Sequence, residues 1–442
     1  MNINYRLVGG IFGILTPMSS TFLPSSPLES LQMAQAEIGS GHNCFVYVPE
    51  QPLADEKADS LPLAGLPIAV KDVIDCQGMP TAAGSRFTAL QPRSARLIDQ
   101  LVAAGASVVG KTQAHQFSFG TTGDVSFAGA VRNAWDPSLM AGGSSGGSAV
   151  AVALGIVPAA VGTDTAGSIR IPAALNGVVG FKPTYGTLSS EGIFPLSPSL
   201  DTPGLVGRDV STLVTVWEAL HEVADDAQRP VRAHRPLRFG VLPSSSLTGM
   251  ASRVESGLVH TLKRLDAKSN TLLETPHVDL EILRRLYLSI IGWEGSMIHD
   301  GLSRVAPELY DDEIRQRIGN LFGVTFEDYL TALNAAQQQR HELSELFQDY
   351  DVLVSPTLAI ETPGIGQRTV QDDSGLEQVW GALAHFTSPW NVVGFPAITL
   401  PIPGAEQPIP IGLQLIGKPE CDTALLSIAE QVEALLRGEI ED

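Results

Sequence analysis

A serine-rich segment from Gly142 to Pro172 contains the residues of this chain best suited to nucleophilic chemistry. It reads GGSSGGSAVAVALGIVPAAVGTDTAGSIRIP and holds four serines, Ser144, Ser145, Ser148 and Ser168. A serine hydroxyl becomes a nucleophile when a neighbouring base takes its proton. The rest of the segment is mostly glycine, alanine and valine, and small residues let two backbone segments approach closely. This composition predicts that two serine-bearing loops meet inside the core.

The first serine cluster, GGSSGGS at 142–148, is compatible with more than one kind of site. Its glycines precede a predicted helix, and the free N–H groups at a helix N-terminus can hold an anion. A phosphate loop of the Walker type is disfavoured because no lysine follows the glycines. Residues 143–147 match the GxSxG nucleophile elbow, but that elbow needs a preceding strand and a late histidine. The segment at 133–141 is a poor strand, and His385 alone follows residue 350.

The second serine candidate lies in the turn TDTAGS at 163–168, after the apolar run IVPAAVG. Small residues before Ser168 would direct consecutive backbone N–H groups toward one point, as an oxyanion hole requires. Asp164 and Arg170 have opposite charges and could clamp the turn through a charge-assisted pair. A tight turn with a capping serine explains the same residues, and we favour that interpretation for either serine loop taken alone.

A base for such a serine is available in Lys71, which follows the apolar run LPIAV. A desolvated lysine loses its proton more readily and can then accept one from a hydroxyl. Its position at the end of a predicted buried strand favours a lowered pKa. A lysine whose stem packs on the strand while its ammonium group reaches water fits this position about equally well.

The segments that must position these residues alternate between short apolar runs and helical patterns. This alternation predicts an α/β fold whose mixed, mostly parallel twisted sheet is covered by helices on both faces. Buried strands are predicted at 66–70, 106–110, 237–242 and 351–356, and a late edge strand at 413–417. Helices are predicted at 94–104, 148–155, 210–223, 326–350 and 422–436, and residues 224–236 as a linker or exposed crossover.

The charge and cysteine content exclude several classes of function. Lysine and arginine total 28 against 48 aspartate and glutamate, a net charge of −20, so we expect no nucleic-acid partner. Cys44, Cys76 and Cys421 lie far apart without zinc-ligand spacing, so we expect no metal site. Few cysteines also favour a reducing, cytoplasmic location.

No long apolar segment points to a membrane. A run of about 18 apolar residues, which a spanning helix needs, does not occur, so we expect no membrane partner. The apolar stretch at 7–15 is short and lacks a cleavage motif, so we predict that it is not a signal peptide. Met18 is an alternative start, in which case residues 1–17 stay outside the folded protein.

Several motifs together resemble the amidase signature family. GGSSGGS is followed by TDTAGSIRIPAALNGVVGFKPTYG, and AVKDVID resembles the segment bearing that family's catalytic lysine. GKTQAHQFSFGTTG, RNAWDP, FPLSPSLDTPG and SPWNVVGFPAITLP are further matches. The resemblance implies a single large domain with the amidase signature fold. It divides the chain into an N-terminal extension with a helical segment at 1–60 and an amidase domain at 61–442. The amidase domain is expected to contain a signature core at 61–216, a variable helical region at 251–350 and a return to the sheet at 351–442.

The resemblance assigns a Ser–cis-Ser–Lys triad to this chain. The nucleophile falls on Ser168, the bridging serine on Ser144 and the lysine on Lys71, and the peptide bond before Ser144 is expected to be cis. In the implied reaction neutral Lys71 takes a proton from Ser144, which takes one from Ser168. The proton returns through Ser144 to the departing nitrogen, and no metal or organic cofactor is needed.

The same resemblance leads to expectations for the surrounding residues. The oxyanion hole is expected at the backbone N–H groups of Thr165, Ala166, Gly167 and Ser168. Residues expected to support the triad are Ser145, Asp164 and Arg170. Residues expected to contact the substrate are Gly142, Gly143, Phe119 and Trp390. Phe117 and Phe395 are further candidates, and ordinary core packing explains Phe395 at least as well. His115 stands where many relatives carry an acid, and we predict a packed or capping histidine.

The implied activity is that of a serine amidohydrolase, which cleaves the C–N bond of small carboxamides through an acyl-enzyme. Within this class we favour uncharged, partly aromatic amides, anilides or carbamates (urethanes). The alternatives are the glutaminase-type subunit of a tRNA amidotransferase, and a hydrolase of urea-derived compounds such as allophanate. The expected partner is therefore a small molecule, and the chain is expected to be a monomer or homodimer.

Overall fold

The computed structural model describes residues 24–38, 41–55, 60–222, 236–267, 271–321, 323–372, 375–402 and 409–437. The strands in these ranges are β1 Phe45–Tyr47, β2 Pro67–Lys71, β3 Pro80–Thr81, β4 Ala89–Leu90, β5 Ser107–Thr112, β6 Ala159–Asp164, β7 Val179–Lys182, β8 Thr202–Gly207, β9 Arg238–Val241, β10 Thr271–Glu274, β11 Val352–Pro356, β12 Thr369–Asp372, β13 Gly375–Gln378, β14 Ala397–Ile402 and β15 Ile411–Ile416. The α-helices are α1 Pro27–Glu37, α2 Arg96–Ala103, α3 Gly146–Ala153, α4 Arg170–Asn176, α5 Val210–Glu222, α6 Ser252–Asp266, α7 Leu280–Val305, α8 Asp312–Leu321, α9 Phe326–Ser344, α10 Val379–Ala384, α11 Ser388–Val392 and α12 Asp422–Arg437.

Eleven of the described strands form one mixed sheet in the order β1-β5-β2-β6-β8-β7-β14-β15-β11-β9-β10. β2 pairs in parallel with β5 and β6, and β9 pairs in parallel with β10 and β11. The strands between these two groups pair antiparallel, as does β1 with β5. The expected single α/β domain with a mixed sheet flanked by helices is confirmed, although strand–helix alternation did not predict the antiparallel centre.

The strand that carries Lys71 is buried on both faces of the sheet. Ile68 and Val70 belong to one apolar core, whereas Ala69 between them belongs to a second core that contains α3. Each residue of β2 is buried. A strand covered by helices on both faces has to be apolar at successive positions, which explains the uninterrupted run LPIAV.

The small residues of α3 allow this helix to lie directly against backbone. A Cβ added to Gly147 would lie 2.5 Å from the carbonyl oxygen of Cys44 and 2.6 Å from the nitrogen of Gln113. These neighbours are main-chain atoms and cannot rotate away. The glycines and alanines after the first serine cluster are therefore needed for packing, as the composition predicted.

Two predicted elements differ from the structure. The segment at 413–417 was expected at a sheet edge, but β15 lies in the interior of the sheet, between β14 and β11. This prediction was wrong because β11, an earlier strand of the chain, pairs with the side of β15 that β14 leaves open. The single helix predicted at 326–350 ends at Ser344 and continues as a 3₁₀ turn at Glu345–Gln348.

Part of the segment predicted as an N-terminal extension joins the main sheet, since β1 pairs with β5. The predicted linker at 224–236, apart from Pro236, lies outside the described residues, as do the apolar stretch at 7–15 and Met18. Among the helices that are described, none combines the length and the apolar character that crossing a bilayer requires.

Candidate active site

Lys71 lies at the end of β2 with its ammonium group enclosed. The side chain is fully buried, and Nζ donates to Ser144 Oγ at 2.7 Å and to Thr163 Oγ1 at 2.7 Å. Burial lowers the pKa of Lys71 to about 7, although the carboxylates of Asp201 and Asp164 act in the opposite direction. A substantial fraction of this amine is therefore neutral near neutral pH, as a proton acceptor must be.

Ser144 is fixed by the backbone on both sides of it. The peptide bond between Gly143 and Ser144 is cis, as expected. The Gly143 N–H donates to the Thr121 carbonyl at 2.6 Å, and the Ser144 carbonyl accepts from the His115 N–H at 3.1 Å. A Cβ on Gly143 would lie 2.8 Å from the Gly123 nitrogen, so the close approach of these loops requires glycine here.

The two serine-bearing loops meet as the composition predicted. The Ser145 N–H donates to the Ser168 carbonyl at 3.1 Å, and Ser145 Oγ donates to the Thr163 carbonyl at 3.1 Å. A Cβ on Gly162 would lie 2.9 Å from Ser145 Oγ, so β6 can accept this contact only with glycine at that position. Ser145 thus joins the loop of the first serine cluster to the turn that carries Ser168.

The turn after β6 is organised around the buried carboxylate of Asp164. It accepts from the Gly167 N–H at 2.7 Å, from the Ile169 N–H at 3.2 Å, and from Arg170 Nε and Nη2 at 3.0 Å and 2.9 Å. Burial alone would raise the pKa of Asp164, but the Arg170 guanidinium and these hydrogen bonds hold it at about 2. The predicted clamp between Asp164 and Arg170 is present.

The backbone N–H groups of this turn divide into two sets. The N–H of Gly167 is already engaged by Asp164, which corrects the expectation that it is open to an oxyanion. The N–H groups of Thr165, Ala166 and Ser168 donate to no other residue in the described part of the chain. The same three residues line a cleft, so their donors lie beside the space in which a substrate carbonyl would sit.

This cleft and the open space at its mouth together have a volume of about 370 Å³. Its wall mixes aromatic, hydroxyl and small residues with one guanidinium, a composition that suits a small, polar-ended ligand. The residues that line it are Ser118, Phe119, Gly120, Thr121, Thr165, Ala166, Ser168, Leu196, Tyr287, Ile291, Arg317, Trp380 and Ala384.

Of the residues expected to contact the substrate, only Phe119 lines this cleft. Trp390 is fully buried, and its ring stacks on Phe395 with centroids 6.4 Å apart, so its prediction as a wall residue was wrong. The helix α11 turns that ring into the core, and Trp380 forms the wall instead. Gly142 and Gly143 also lie away from the lining, where they let the serine loop pack against its neighbours.

Arg317 brings a positive charge into the cleft. Its guanidinium carbon lies 5.2 Å from the ring centroid of Phe119 and 5.1 Å from that of Trp380. Within the described part of the chain it makes neither an ion pair nor a hydrogen bond. Desolvation lowers the pKa of Arg317, while the Glu313 carboxylate one helical turn away acts in the opposite direction. The cation is held by aromatic faces and keeps its N–H donors for a ligand.

Two further cleft residues carry hydroxyl groups. Ser118 Oγ is buried without a hydrogen-bond partner among the described atoms. Phe117 and Ser118 have φ of +53° and +58°, a conformation that side chains other than glycine rarely adopt and that concentrates at functional sites. Tyr287 lines the cleft as well, and burial raises the pKa of its hydroxyl, which therefore stays protonated and can donate.

Sequence reasoning missed Arg317, Tyr287, Trp380, Thr163 and Asp201. For Arg317 a signal existed, because it stands between Ile314 and Ile318, both buried on the inner face of α8. A charge on the apolar side of an amphipathic helix is unusual unless it has a function or a partner.

His115 is buried, and its Nδ1 accepts from the Gly123 N–H at 3.2 Å. Burial lowers its pKa to about 3, and the positive charge of Arg317 acts in the same direction. The ring is therefore neutral and supports the loop at 120–124, which agrees with the predicted packed histidine. Within the described residues, no group of three or more His, Cys, Asp or Glu side chains is arranged to hold a metal ion.

Comparison with known proteins adds independent information. The model of the Amidase family matches residues 37–426. The A subunit of the glutamyl-tRNA(Gln) amidotransferase from Symbiobacterium thermophilum is 34% identical over 406 residues, which cover 83% of this chain and 82% of that protein. The AtzE subunit of 1-carboxybiuret hydrolase from Pseudomonas sp. is 34% identical over 373 residues, 81% of each chain. A solved amidase structure, 34% identical, superposes with a TM-score of 0.84 over 93% of this chain and 96% of that one.

Proposed function

This chain belongs to the Amidase family of C–N hydrolases, and we propose that it cleaves a small carboxylate-bearing amide through an acyl-enzyme formed on Ser168. The observation that carries the proposal is the 2.7 Å contact between Lys71 Nζ and Ser144 Oγ inside a site closed to solvent. Burying an ammonium group without a carboxylate partner is costly, so this enclosure favours the neutral amine that can accept a proton from Ser144.

The proposed reaction begins with proton transfer along the triad. Neutral Lys71 takes the proton of Ser144, and Ser144 takes that of Ser168 as Ser168 Oγ attacks the amide carbon. The carbonyl oxygen gains the negative charge, and the N–H groups of Thr165, Ala166 and Ser168 stabilise it. When the C–N bond breaks, the proton returns through Ser144 to the leaving nitrogen.

The acyl-enzyme is then cleared by water. The released amine leaves room beside Ser168 for a water molecule, which gives a proton to Ser144 and attacks the ester carbon. The ester C–O bond breaks, Ser168 regains its proton, and a carboxylic acid is released. Both halves of the reaction use the same relay.

The substrate class follows from Arg317. A guanidinium that has N–H donors without protein acceptors fits a ligand carboxylate, which it can bind through two parallel hydrogen bonds. The hydroxyls of Tyr287 and Ser118 add donors in the same cleft. One relative's name describes a substrate of this kind, a carboxybiuret. We therefore favour carboxylate-bearing amides over the uncharged anilides and urethanes.

Glutamine is a second candidate substrate. Its side chain is a primary amide and its other end carries a carboxylate, so it has both groups that the site is suited to bind. The similarity to a glutamyl-tRNA(Gln) amidotransferase over 83% of this chain favours this candidate. In that case the ammonia released from the amide would pass to another reaction, and a screen must include glutamine separately.

Labelling with a fluorophosphonate tests the acyl-transfer part of the proposal. This probe forms a covalent bond with an activated serine, and peptide mass spectrometry locates the adduct. We expect the adduct on Ser168 of the wild-type chain and its absence after Lys71→Ala. An unlabelled wild-type chain, or labelling elsewhere, would favour a protein that retains the fold without acting alone.

A hydrolysis screen tests the substrate class. Release of amine is measured for the monoamide of a dicarboxylic acid, its methyl ester, glutamine, an anilide, a urethane and a urea. We expect the highest kcat/KM among compounds with a free carboxylate. Equal or greater rates for the uncharged ester would contradict the proposal that Arg317 binds a substrate carboxylate. That result would not affect the proposal for the triad.

A further inference from the structure

A buried carboxylate, Asp201, lies between the oxyanion turn and the wall of the cleft. One oxygen accepts from Thr165 Oγ1 at 2.6 Å. The other accepts from the N–H groups of Leu196 at 2.8 Å and Ser197 at 3.0 Å. Thr165 and Leu196 both line the cleft, so a single carboxylate fixes two parts of its wall relative to each other.

The loop that Asp201 holds is also fixed from its other side. Glu294, in the middle of α7, accepts from Ser197 Oγ at 2.5 Å and from the Ser199 N–H at 3.1 Å. Glu294 in turn accepts from the Tyr329 hydroxyl of α9 at 2.7 Å. The helices α7 and α9 thereby hold the loop at 196–199. Asp201 accepts hydrogen bonds from both this loop and Thr165, so it fixes Thr165 relative to the loop.

Asp201 also contributes charge to the site around Lys71. The groups whose charges act on Lys71 are the carboxylates of Asp201 and Asp164. Asp164 is neutralised by its bidentate pair with Arg170, and the neighbouring His115 is uncharged near neutral pH. Asp201 forms no ion pair within 4.0 Å of a cation in the described part of the chain. Its negative charge is therefore the less compensated of the two.

We propose that Asp201 is a positioning residue for acyl transfer, which fixes Thr165 of the oxyanion turn and acts on Lys71 through its negative charge. The proposal rests on the function proposed above. Supporting it, the pKa of Asp201 is raised to about 6 by burial, against the opposing effect of the Thr165 hydrogen bond.

The test is the pH dependence of fluorophosphonate labelling of Ser168 in wild type, Asp201→Asn and Glu294→Gln. Removal of the Asp201 charge makes Lys71 easier to deprotonate. In Asp201→Asn the increase of the labelling rate with pH, here called the rising limb, should therefore occur at lower pH. At higher pH, where the labelling rate no longer changes, Asp201→Asn should be labelled about tenfold more slowly than wild type, because a charge-assisted hydrogen bond to the turn is lost. Glu294→Gln loosens the same loop without removing a charge that acts on Lys71, so its limb should stay in place.

The proposal would be overturned if folded Asp201→Asn showed the rising limb at the same pH as wild type. It would also be overturned if Glu294→Gln shifted the rising limb by the same amount as Asp201→Asn. Should Asp201→Asn fail to fold, Thr165→Val and Thr165→Ser carry the test. The valine variant should label about tenfold more slowly, and serine should restore the rate by restoring the hydroxyl. Equal rates for valine and wild type would then overturn it.

The two proposals fail in distinguishable ways. If wild-type Ser168 is not labelled at all, acyl transfer by this triad is wrong, whatever the Asp201 variants do. If wild-type Ser168 is labelled and the labelling rate rises as Lys71 loses its proton, the triad is supported. The results for the variants then decide only the role proposed for Asp201.

Discussion

The amine of Lys71 lies 2.7 Å from the hydroxyl oxygen of Ser144, and both side chains are fully buried. The two residues are 73 positions apart in the chain. Lys71 lies at the end of β2, and Ser144 lies in the loop before α3. In this enclosure a proton can pass from hydroxyl to amine without competition from water, which is the requirement for a serine nucleophile that has no histidine.

Replacing the lysine should stop acylation. Lys71→Met keeps much of the side-chain volume but has no proton acceptor, so fluorophosphonate labelling of Ser168 should slow by at least about 100-fold. Lys182→Met is the matched control, since Lys182 is also fully buried but donates to the Pro183 carbonyl. The folded control should keep a labelling rate near that of wild type. Rapid labelling of Lys71→Met would exclude this lysine as the base.

Activity should rise with pH through the neutral range. Only the neutral amine accepts a proton, and burial brings the pKa of Lys71 to about 7. Below this pH the ammonium form dominates and the relay is blocked, whereas above it the amine is free, so kcat/KM should increase from acid toward mildly alkaline pH. Hydrolysis or labelling measured across this range checks the sign. A maximum well on the acid side of neutrality is incompatible with a lysine base.

Neutralising Arg317 should change selectivity rather than chemistry. In Arg317→Gln, kcat/KM for a dicarboxylic acid monoamide should fall about 10- to 100-fold, because a charged hydrogen-bond partner is lost. The methyl ester of the same amide should change little, since it has no charge to bind. Arg315→Gln provides the control, as Arg315 is exposed on the same helix and pairs with Asp312. Equal losses for acid and ester would show that Arg317 has only a structural role.

The same substitution in two helices should have opposite effects on stability. Gly147→Ala in α3 places a Cβ 2.5 Å from a backbone oxygen, and overpacking of this kind costs about 1–3 kcal/mol. Gly319→Ala in α8 meets no atom within 4 Å, so it should stabilise by about 0.5–1 kcal/mol through helix propensity. Urea unfolding of the two variants and wild type measures both changes. An unchanged midpoint for Gly147→Ala would mean that α3 can shift away from its neighbours.

The residues of the proposed relay were predictable because each lies in a local pattern with a chemical meaning. Lys71 ends an uninterrupted apolar run, Ser144 follows a glycine pair, and Asp164 and Arg170 flank a turn of small residues. The main strands were predictable for a similar reason, since burial on both faces demands consecutive apolar residues. Family resemblance then joined these separate signals into one triad.

The wall of the cleft was decided by the tertiary structure. Arg317 comes from α8, Trp380 from α10 and Phe119 from the loop after β5, and their distances depend on how the helical layer packs on the sheet. The same packing turned the Trp390 ring into the core. The sequence by itself thus determined which groups could transfer a proton, because that chemistry needs particular residue types in short motifs. Only the fold decided which distant side chains surround the substrate, because side-chain direction and long-range contact are set by packing.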